Sequence, residues 1–243
     1  MKKEIKLNDP KHIFIIAEAG SNWKAGSYKK DIERAEKLIK VAAKSGADAI
    51  KFQTYNPKSV YVPNAGKSKY LLKSGMDKSI FEIFQKYSMP HKMLKDLSII
   101  CKKEKILFMS TPFSVEDAKV VNKFVKIHKI AAFEINHIRL LEYLASTKKP
   151  IIISTGASDS SEIDYAVKLL KKKGAKKICL LQTTSKYPAP IETLNLKVIA
   201  ELKKKYNVPV GLSDHSIEPI LGPTLAIGLG ATIIEKHFTL NKK

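Results

Sequence analysis

Short runs of Val, Ile, Leu and Phe alternate along this chain with longer stretches in which apolar residues recur every three or four positions. The runs fall at 13–18, 48–53, 106–110, 126–130, 150–154, 177–182, 208–212 and 231–235 and predict eight strands. Between the first two, Asp31 to Lys44 places Ile32, Ala35, Leu38, Ile39 and Ala42 on one helical face, and Gly46 supplies the stop. Further helices are expected near 91–104, 115–123, 139–147, 160–173, 192–206 and 219–229. Each strand then feeds a helix that returns the chain to the next strand, which is the rhythm of an α/β (β/α)8 TIM barrel.

Two places depart from that rhythm. Residues 54–90 carry Pro57, Pro63, Gly66, Gly75 and Pro90 around a short helix expected at 79–87, and read as an extended loop insertion above the second strand. Only Phe238 to Lys243 follow the eighth strand. A closed barrel wants one more helix over that seam, so the last helix is expected to be lacking and apolar surface to be exposed there.

The 243 residues, 44% of them hydrophobic, suit one barrel domain over 1–243, with no linker or repeat to divide it. No apolar run approaches the roughly 18 residues of a membrane span, and the Met1-Lys2-Lys3 start lacks the apolar core of a signal peptide, so a cytoplasmic protein without a membrane partner is expected. Cys101 and Cys179 have no metal-thiolate spacing and read as buried structural thiols. The formal charge of +21, from 44 basic and 23 acidic residues, is almost all lysine, since Arg occurs only at Arg34 and Arg139. Runs such as Lys171 to Lys173 and Lys203 to Lys205 sit at helix ends, where cations suit the dipole. No aromatic-interleaved basic motif points to nucleic acid.

A barrel gathers its strand ends on one rim, where the chemistry is carried. Every predicted strand ends in polar residues: Glu18, Lys51 with Gln53, Ser110 with Thr111, Lys129 with Glu134, Ser154, Ser185 with Tyr187, Ser213 with Asp214 and His215, and Glu235 with His237. Lysines converging with hydroxyls suit phosphate and carboxylate, because the ammonium supplies charge and the hydroxyls donate hydrogen bonds. His215 and His237 in an oxygen-rich surround suit a divalent transition metal. The competing reading makes His215 a helix cap and His237 a rim histidine with a satisfied ring. Glu18 and Glu134 are candidates for positioning a hydroxyl or passing a proton, and Asp214 is equally an N-cap candidate.

The strings Ile16-Ala-Glu-Ala-Gly-Ser-Asn22, Gly46-Ala-Asp-Ala-Ile-Lys-Phe-Gln-Thr54, Ser110-Thr-Pro-Phe113, Lys129-Ile-Ala-Ala-Phe-Glu134, Ser154-Thr-Gly156, Ser185-Lys-Tyr-Pro188, Gly211-Leu-Ser-Asp-His-Ser216 and Glu235-Lys-His-Phe-Thr-Leu240 resemble, in order, those of the sialic acid synthase family. That family includes N-acetylneuraminate, legionaminate and pseudaminate synthases. The resemblance implies a metal-dependent enzyme that condenses phosphoenolpyruvate with an N-acetylated aldose, giving a nine-carbon 2-keto sugar acid and phosphate. It implies a divalent metal, Mn2+, on His215 and His237. It also implies phosphoenolpyruvate among Lys51, Thr111, Lys129, Ser154, Ser185 and Ser213, the sugar near Glu18, Gln53 and Tyr187, and Glu134 close to the reacting carbons. Asp214 is counted with the substrate-binding residues.

Three departures qualify that picture. Trp23 stands where the family commonly has histidine, with an expected effect on the sugar end of the pocket. Ala132 replaces a phosphate-contacting serine, one hydrogen bond fewer, worth about 0.5–1.5 kcal/mol net. Family members also continue into a C-terminal antifreeze-like domain, absent from these 243 residues, that completes a homodimer's active site. Two other readings stay open: a synthase of the 3-deoxy-octulosonate or 3-deoxy-heptulosonate phosphate kind, which would want more arginines than Arg34 and Arg139, and a non-catalytic barrel with a structural or glycan-binding role.

Overall fold

The computed structural model describes residues 5–9, 11–67, 72 and 77–241. Gly75 of the insertion and the Met1-Lys2-Lys3 start lie outside the described residues. All eight expected strands form: β1 (Phe14–Gly20), β2 (Ala49–Thr54), β3 (Leu107–Pro112), β4 (His128–Ile130), β5 (Ile151–Ser154), β6 (Ile178–Thr183), β7 (Val210–Asp214) and β8 (Ile233–His237). They are parallel and hydrogen-bonded in the order β3-β2-β1-β8-β7-β6-β5-β4. The two ends of that ladder, β3 and β4, lie side by side, so the sheet is a nearly closed barrel.

The helices of the outer layer are α1 (Tyr28–Lys44), α4 (His91–Lys103), α5 (Val115–Val121), α6 (Ile138–Ser146), α7 (Ser160–Lys172), α8 (Lys197–Tyr206) and α9 (Leu221–Gly228). Capping fixes several starts: Ser27 accepts from the Lys30 amide, and Asp159 with Glu162 forms a capping box at α7. The stretch expected as one helix over 192–206 divides, because only 197–206 is α-helical and Ile191–Thr193 is a separate 3-10 turn. Among the described residues of the insertion lie the short helices α2 (Pro57–Val60) and α3 (Ile80–Tyr87), the first of them unanticipated. Ile220 just before α9, and Leu221, Leu225 and Ile227 within it, are exposed.

Strand alternation divides the barrel into an outer and an inner face. Outward residues such as Ile130, Ile153, Leu180, Leu212 and Ile234 join the helices in one core cluster. Inward residues Phe14, Ile16, Ala49, Met109, Ile127, Ile152, Cys179, Leu181 and Ile233 form a separate cluster that plugs the barrel interior. Two residues further along each strand the inward positions become polar, and that second layer is the floor of the site described next.

Candidate active site

The period of two that builds the plug also aims the chemistry. Ile16, Ala49, Met109, Ile127, Ile152 and Ile233 of the plug are each followed, two positions on, by Glu18, Lys51, Thr111, Lys129, Ser154 and Glu235. These side chains, with Ser213 from β7, form the floor of a cleft of about 510 Å³ at the carboxyl ends of the strands, a volume suited to a small ligand. Another two positions along, Gln53, Phe113, Ser185, His215 and His237 form the rim. A larger groove of about 630 Å³ between α7 and α8 holds no buried carboxylate, lysine or histidine, so the chemistry resides in the smaller cleft.

The floor is one connected charge network. Lys51 pairs with Glu18, donates to Thr111 Oγ1 at 3.1 Å, and stands 3.7 Å from Glu235 Oε1. Lys129 donates to Ser154 Oγ at 2.7 Å and lies 3.8 Å from the same Glu235 oxygen. Ser213 Oγ donates to Glu235 Oε1 at 3.1 Å, and Gln53 Nε2 to Glu18 Oε1 at 3.4 Å. Glu18, Lys51, Lys129 and Glu235 are all at most 5% exposed.

Burial and neighbours drive these groups apart. For Lys51, burial favours the neutral amine, but Glu18 and Glu235 outweigh it and hold the pKa above the usual lysine value. Lys129 goes the other way, lowered by burial to about 8 against the pull of Glu235. Burial pushes Glu18 up to about 7. For Glu235, Lys129 and Lys51 overcome burial and lower the pKa, so it is the carboxylate that stays ionised between the lysines. Glu134, on the 3-10 turn after β4, is raised to about 7 by burial. The buried Oε2 atoms of Glu134 and Glu235 have no hydrogen-bond partner among the described residues, whereas that of Glu18 faces Lys51.

On the rim, His215 and His237 meet with ring centroids 5.5 Å apart. His215 Nδ1 is 2.8 Å from the Thr184 carbonyl, to which it donates, leaving Nε2 as an acceptor with the Tyr187 hydroxyl at 2.9 Å. Burial, then in each case a neighbouring group, lowers both histidines to about 4, so both rings are neutral and carry a lone pair at ordinary pH. Two neutral imidazoles facing each other on one rim, with no thiolate in the cleft, fit a divalent transition metal. Among the described residues no three His, Cys, Asp or Glu side chains converge, so the chain would supply the two imidazoles as its direct ligands. The remaining histidines lie elsewhere: His12 against Asp48, His91 against Asp117, His137 capping α6, and His128 wholly buried at the start of β4. Cys101 and Cys179 are buried free thiols raised to about 12, as structural thiols should be.

Glu18, Lys51, Gln53, Thr111, Lys129, Glu134, Ser154, Ser185, Tyr187, Ser213, His215 and His237 therefore all line one cleft. Two expectations need correction. Asp214 is not a cleft residue: alternation turns it to the outer face, where its carboxylate pairs with Lys236. Trp23 is not a cleft residue either, because it is buried at 1% exposure in the core cluster that includes α1 and α4. Ala132 sits at the cleft edge as expected, offering no hydroxyl.

Sequence reasoning noticed Glu235 but gave it no role, although its inward register with His237 was legible. It missed the aromatic wall altogether. Tyr61 and Phe84 come from the insertion, with ring centroids 4.5 Å apart, and line the cleft together with Phe113 and the exposed Phe133. No local pattern announces which rings of an irregular segment will turn toward a distant pocket.

A parallel barrel with a lysine-and-carboxylate floor and a histidine rim at its strand ends defines a (β/α)8 protein with a cleft suited to a small anionic ligand. The chain belongs to the NeuB family, whose model matches residues 38–243. It is 41% identical over 239 residues to a pseudaminic acid synthase of Campylobacter jejuni, covering 97% of this chain and 68% of that protein. It is 42% identical to an N,N'-diacetyllegionaminic acid synthase of the same organism, covering 96% and 69%. A solved N-acetylneuraminic acid synthetase of Leptospira borgpetersenii superposes with a TM-score of 0.82 at 36% identity, over 96% of this chain and 75% of that one. A 3-deoxy-D-arabino-heptulosonate 7-phosphate synthase of Thermotoga maritima, at 17% identity and a TM-score of 0.68, shares the fold. Among the described residues no helix is long and apolar enough to cross a membrane.

Proposed function

We propose that this protein condenses phosphoenolpyruvate with an N-acetylated aldose, forming a nine-carbon 2-keto sugar acid and phosphate. The observation that carries the reading is the pair of buried lysines, Lys51 and Lys129, on the floor of a cleft whose rim holds two neutral histidines. The names of the relatives at 41% and 42% identity support the same chemistry.

In this reading Lys51 and Lys129 neutralise the phosphate and carboxylate of phosphoenolpyruvate, while Thr111, Ser154, Ser185 and Ser213 donate hydrogen bonds to its oxygens. Lys129, lowered to about 8, is held more firmly in its protonated form as an anion docks, because the added negative charge offsets its burial. Glu18, Gln53 and Tyr187 orient the sugar. The aromatic wall of Tyr61, Phe84 and Phe113 offers apolar faces to acetamido methyl groups. His215 and His237 would hold a divalent metal such as Mn2+, which when bound supplies Lewis-acid polarisation of the aldehyde carbonyl.

The enol carbon of phosphoenolpyruvate forms a bond to the aldehyde carbon, whose oxygen takes a proton. Water adds to the resulting cationic C2 and loses one proton; the C2–O bond to phosphate then breaks as the remaining hydroxyl proton passes to the departing phosphate, which leaves the 2-keto group. Glu134 is suited to hold or move one of those protons at Oε2, since its pKa of about 7 lets it exist in both forms near neutrality. Fixing both substrates in one cleft contributes by proximity.

Phosphate release from phosphoenolpyruvate tests the proposal, with N-acetylmannosamine and its 2,4-diacetamido relatives as acceptors, with Mn2+ and after EDTA. Turnover with one acceptor, lost on chelation and restored by Mn2+, is the expected result. Silence with every acceptor, in protein shown to bind phosphoenolpyruvate, would sink it.

A further inference from the structure

We propose that Asp214 and Lys236 are positioning residues: their ion pair fixes the separation of His215 and His237 and thereby sets the affinity of the rim for a divalent metal. The inference rests on the reading of those two histidines as the metal pair.

The parallel ladder between β7 and β8 ends at the register pair Asp214 and Lys236. His215 and His237 each lie one residue beyond it, where that ladder no longer ties the two strands. Each histidine is anchored to a different neighbour. His215 is held by the loop after β6, through its Nδ1 on the Thr184 carbonyl and its own carbonyl on the Ala189 amide at 2.9 Å. His237 stands opposite Glu18 on β1.

The ion pair spans the seam between these two anchored halves. Lys236 Nζ lies 2.6 Å from Asp214 Oδ2 and donates to the Ser216 carbonyl at 2.9 Å, while the Ser216 amide donates to Asp214 Oδ1 at 2.8 Å. Ser216 is the residue just past His215, so the clamp grips the backbone on both sides of that histidine. Its surroundings keep it rigid. The Asp214 side chain is 0% exposed and that of Lys236 20%. Gly222 of α9 closes over the carboxylate so tightly that a Cβ there would sit 3.2 Å from Asp214 Oδ2.

Outer-shell partners bonded directly to a metal ligand commonly change affinity by about 10–100-fold when removed, and a clamp on the backbone beside His215 is expected to act within that range. Losing either charge frees the β7 and β8 ends to splay, which separates the rings without touching the cleft floor.

The test is Mn2+ titration of the full chain, followed by electron paramagnetic resonance of free Mn2+. Wild type, D214N, K236M, K236R and H215A are compared, with thermal melting and inorganic phosphate binding measured alongside. D214N and K236M should bind Mn2+ about 10–100-fold more weakly, with phosphate affinity unchanged and melting still cooperative, and K236R should recover most of the loss. If H215A loses Mn2+ while D214N and K236M keep wild-type affinity, the clamp is refuted and the metal pair stands. If wild type binds no Mn2+, or H215A binds it normally, the metal reading fails and takes the clamp with it. Unfolding of both D214N and K236M would also overturn the proposal, since it would assign the pair to the fold rather than to the rim.

Discussion

Gly211 and Ile233 approach so closely across β7 and β8 that a side chain on Gly211 would overlap the Ile233 carbonyl oxygen. The same Cβ would lie 2.7 Å from Leu181 Cδ2, so neither backbone nor plug has room to yield. That contact sets how tightly the two histidine-bearing strands pair.

Gly211→Ala should therefore be destabilising by about 1–3 kcal/mol or more, the usual cost of overpacking a filled core. Urea unfolding measures the loss. An alanine variant as stable as wild type would show that β8 can shift outward at no cost.

Glu235 is the shared counter-ion of Lys51 and Lys129, at 3.7 and 3.8 Å. Glu235→Gln removes the charge at nearly constant volume and leaves two buried lysines with less compensation, at a cost of about 3–5 kcal/mol. Inorganic phosphate should restore part of that loss by supplying the missing negative charge. Thermal melts with and without phosphate check both halves, and a phosphate shift no larger than that of wild type would contradict the floor's role as an anion site.

Glu134 carries a pH prediction. Its folded pKa of about 7 lies above the ordinary 4.5, so between those values the folded chain holds a proton that the unfolded chain has lost. Stability from this group is present below pH 4.5 and is lost as pH rises through 7. Glu134→Gln should remove that dependence and make the protein more stable than wild type at pH 8, by about 3 kcal/mol. Denaturant titrations at pH 5 and pH 8 decide it, the expected signature being a difference that appears only at the higher pH.

His128 predicts the opposite slope. It is buried at the foot of β4 with Nδ1 unpartnered, and burial, then Lys149, lowers it from 6.5 to about 4. The unfolded chain binds the proton first, so stability is complete above pH 6.5 and falls as pH drops toward 4, on the order of 1.4 kcal/mol per unit. His128→Leu should flatten part of the acid limb. Melting temperatures measured between pH 4 and 7 would count against this account if the variant and wild type ran parallel.

Much of this molecule is local in origin. Alternation of apolar runs with amphipathic stretches determined the eight strands, most of the outer helices and the barrel they build, because burial of a strand and of one helix face is written at periods of two and 3.6. Once the strands are known, the period of two also places Glu18, Lys51, Lys129 and the two histidines on one interior. Asp214 shows the limit of reading by proximity: it adjoins His215 in sequence yet points to the opposite face of the sheet.

Local pattern thus accounts for the barrel, the layer of charge at its strand ends and the histidine pair. Closure of the barrel adds that Glu235 lies between both lysines, that Tyr61 and Phe84 of the insertion wall the cleft, that Trp23 is core, and that Asp214 pairs with Lys236 on the outer face. Those facts depend on which strands become neighbours when the sheet curls and on where an irregular segment folds back. They are contacts between residues far apart in the chain, created by closure of the barrel and invisible to any local period.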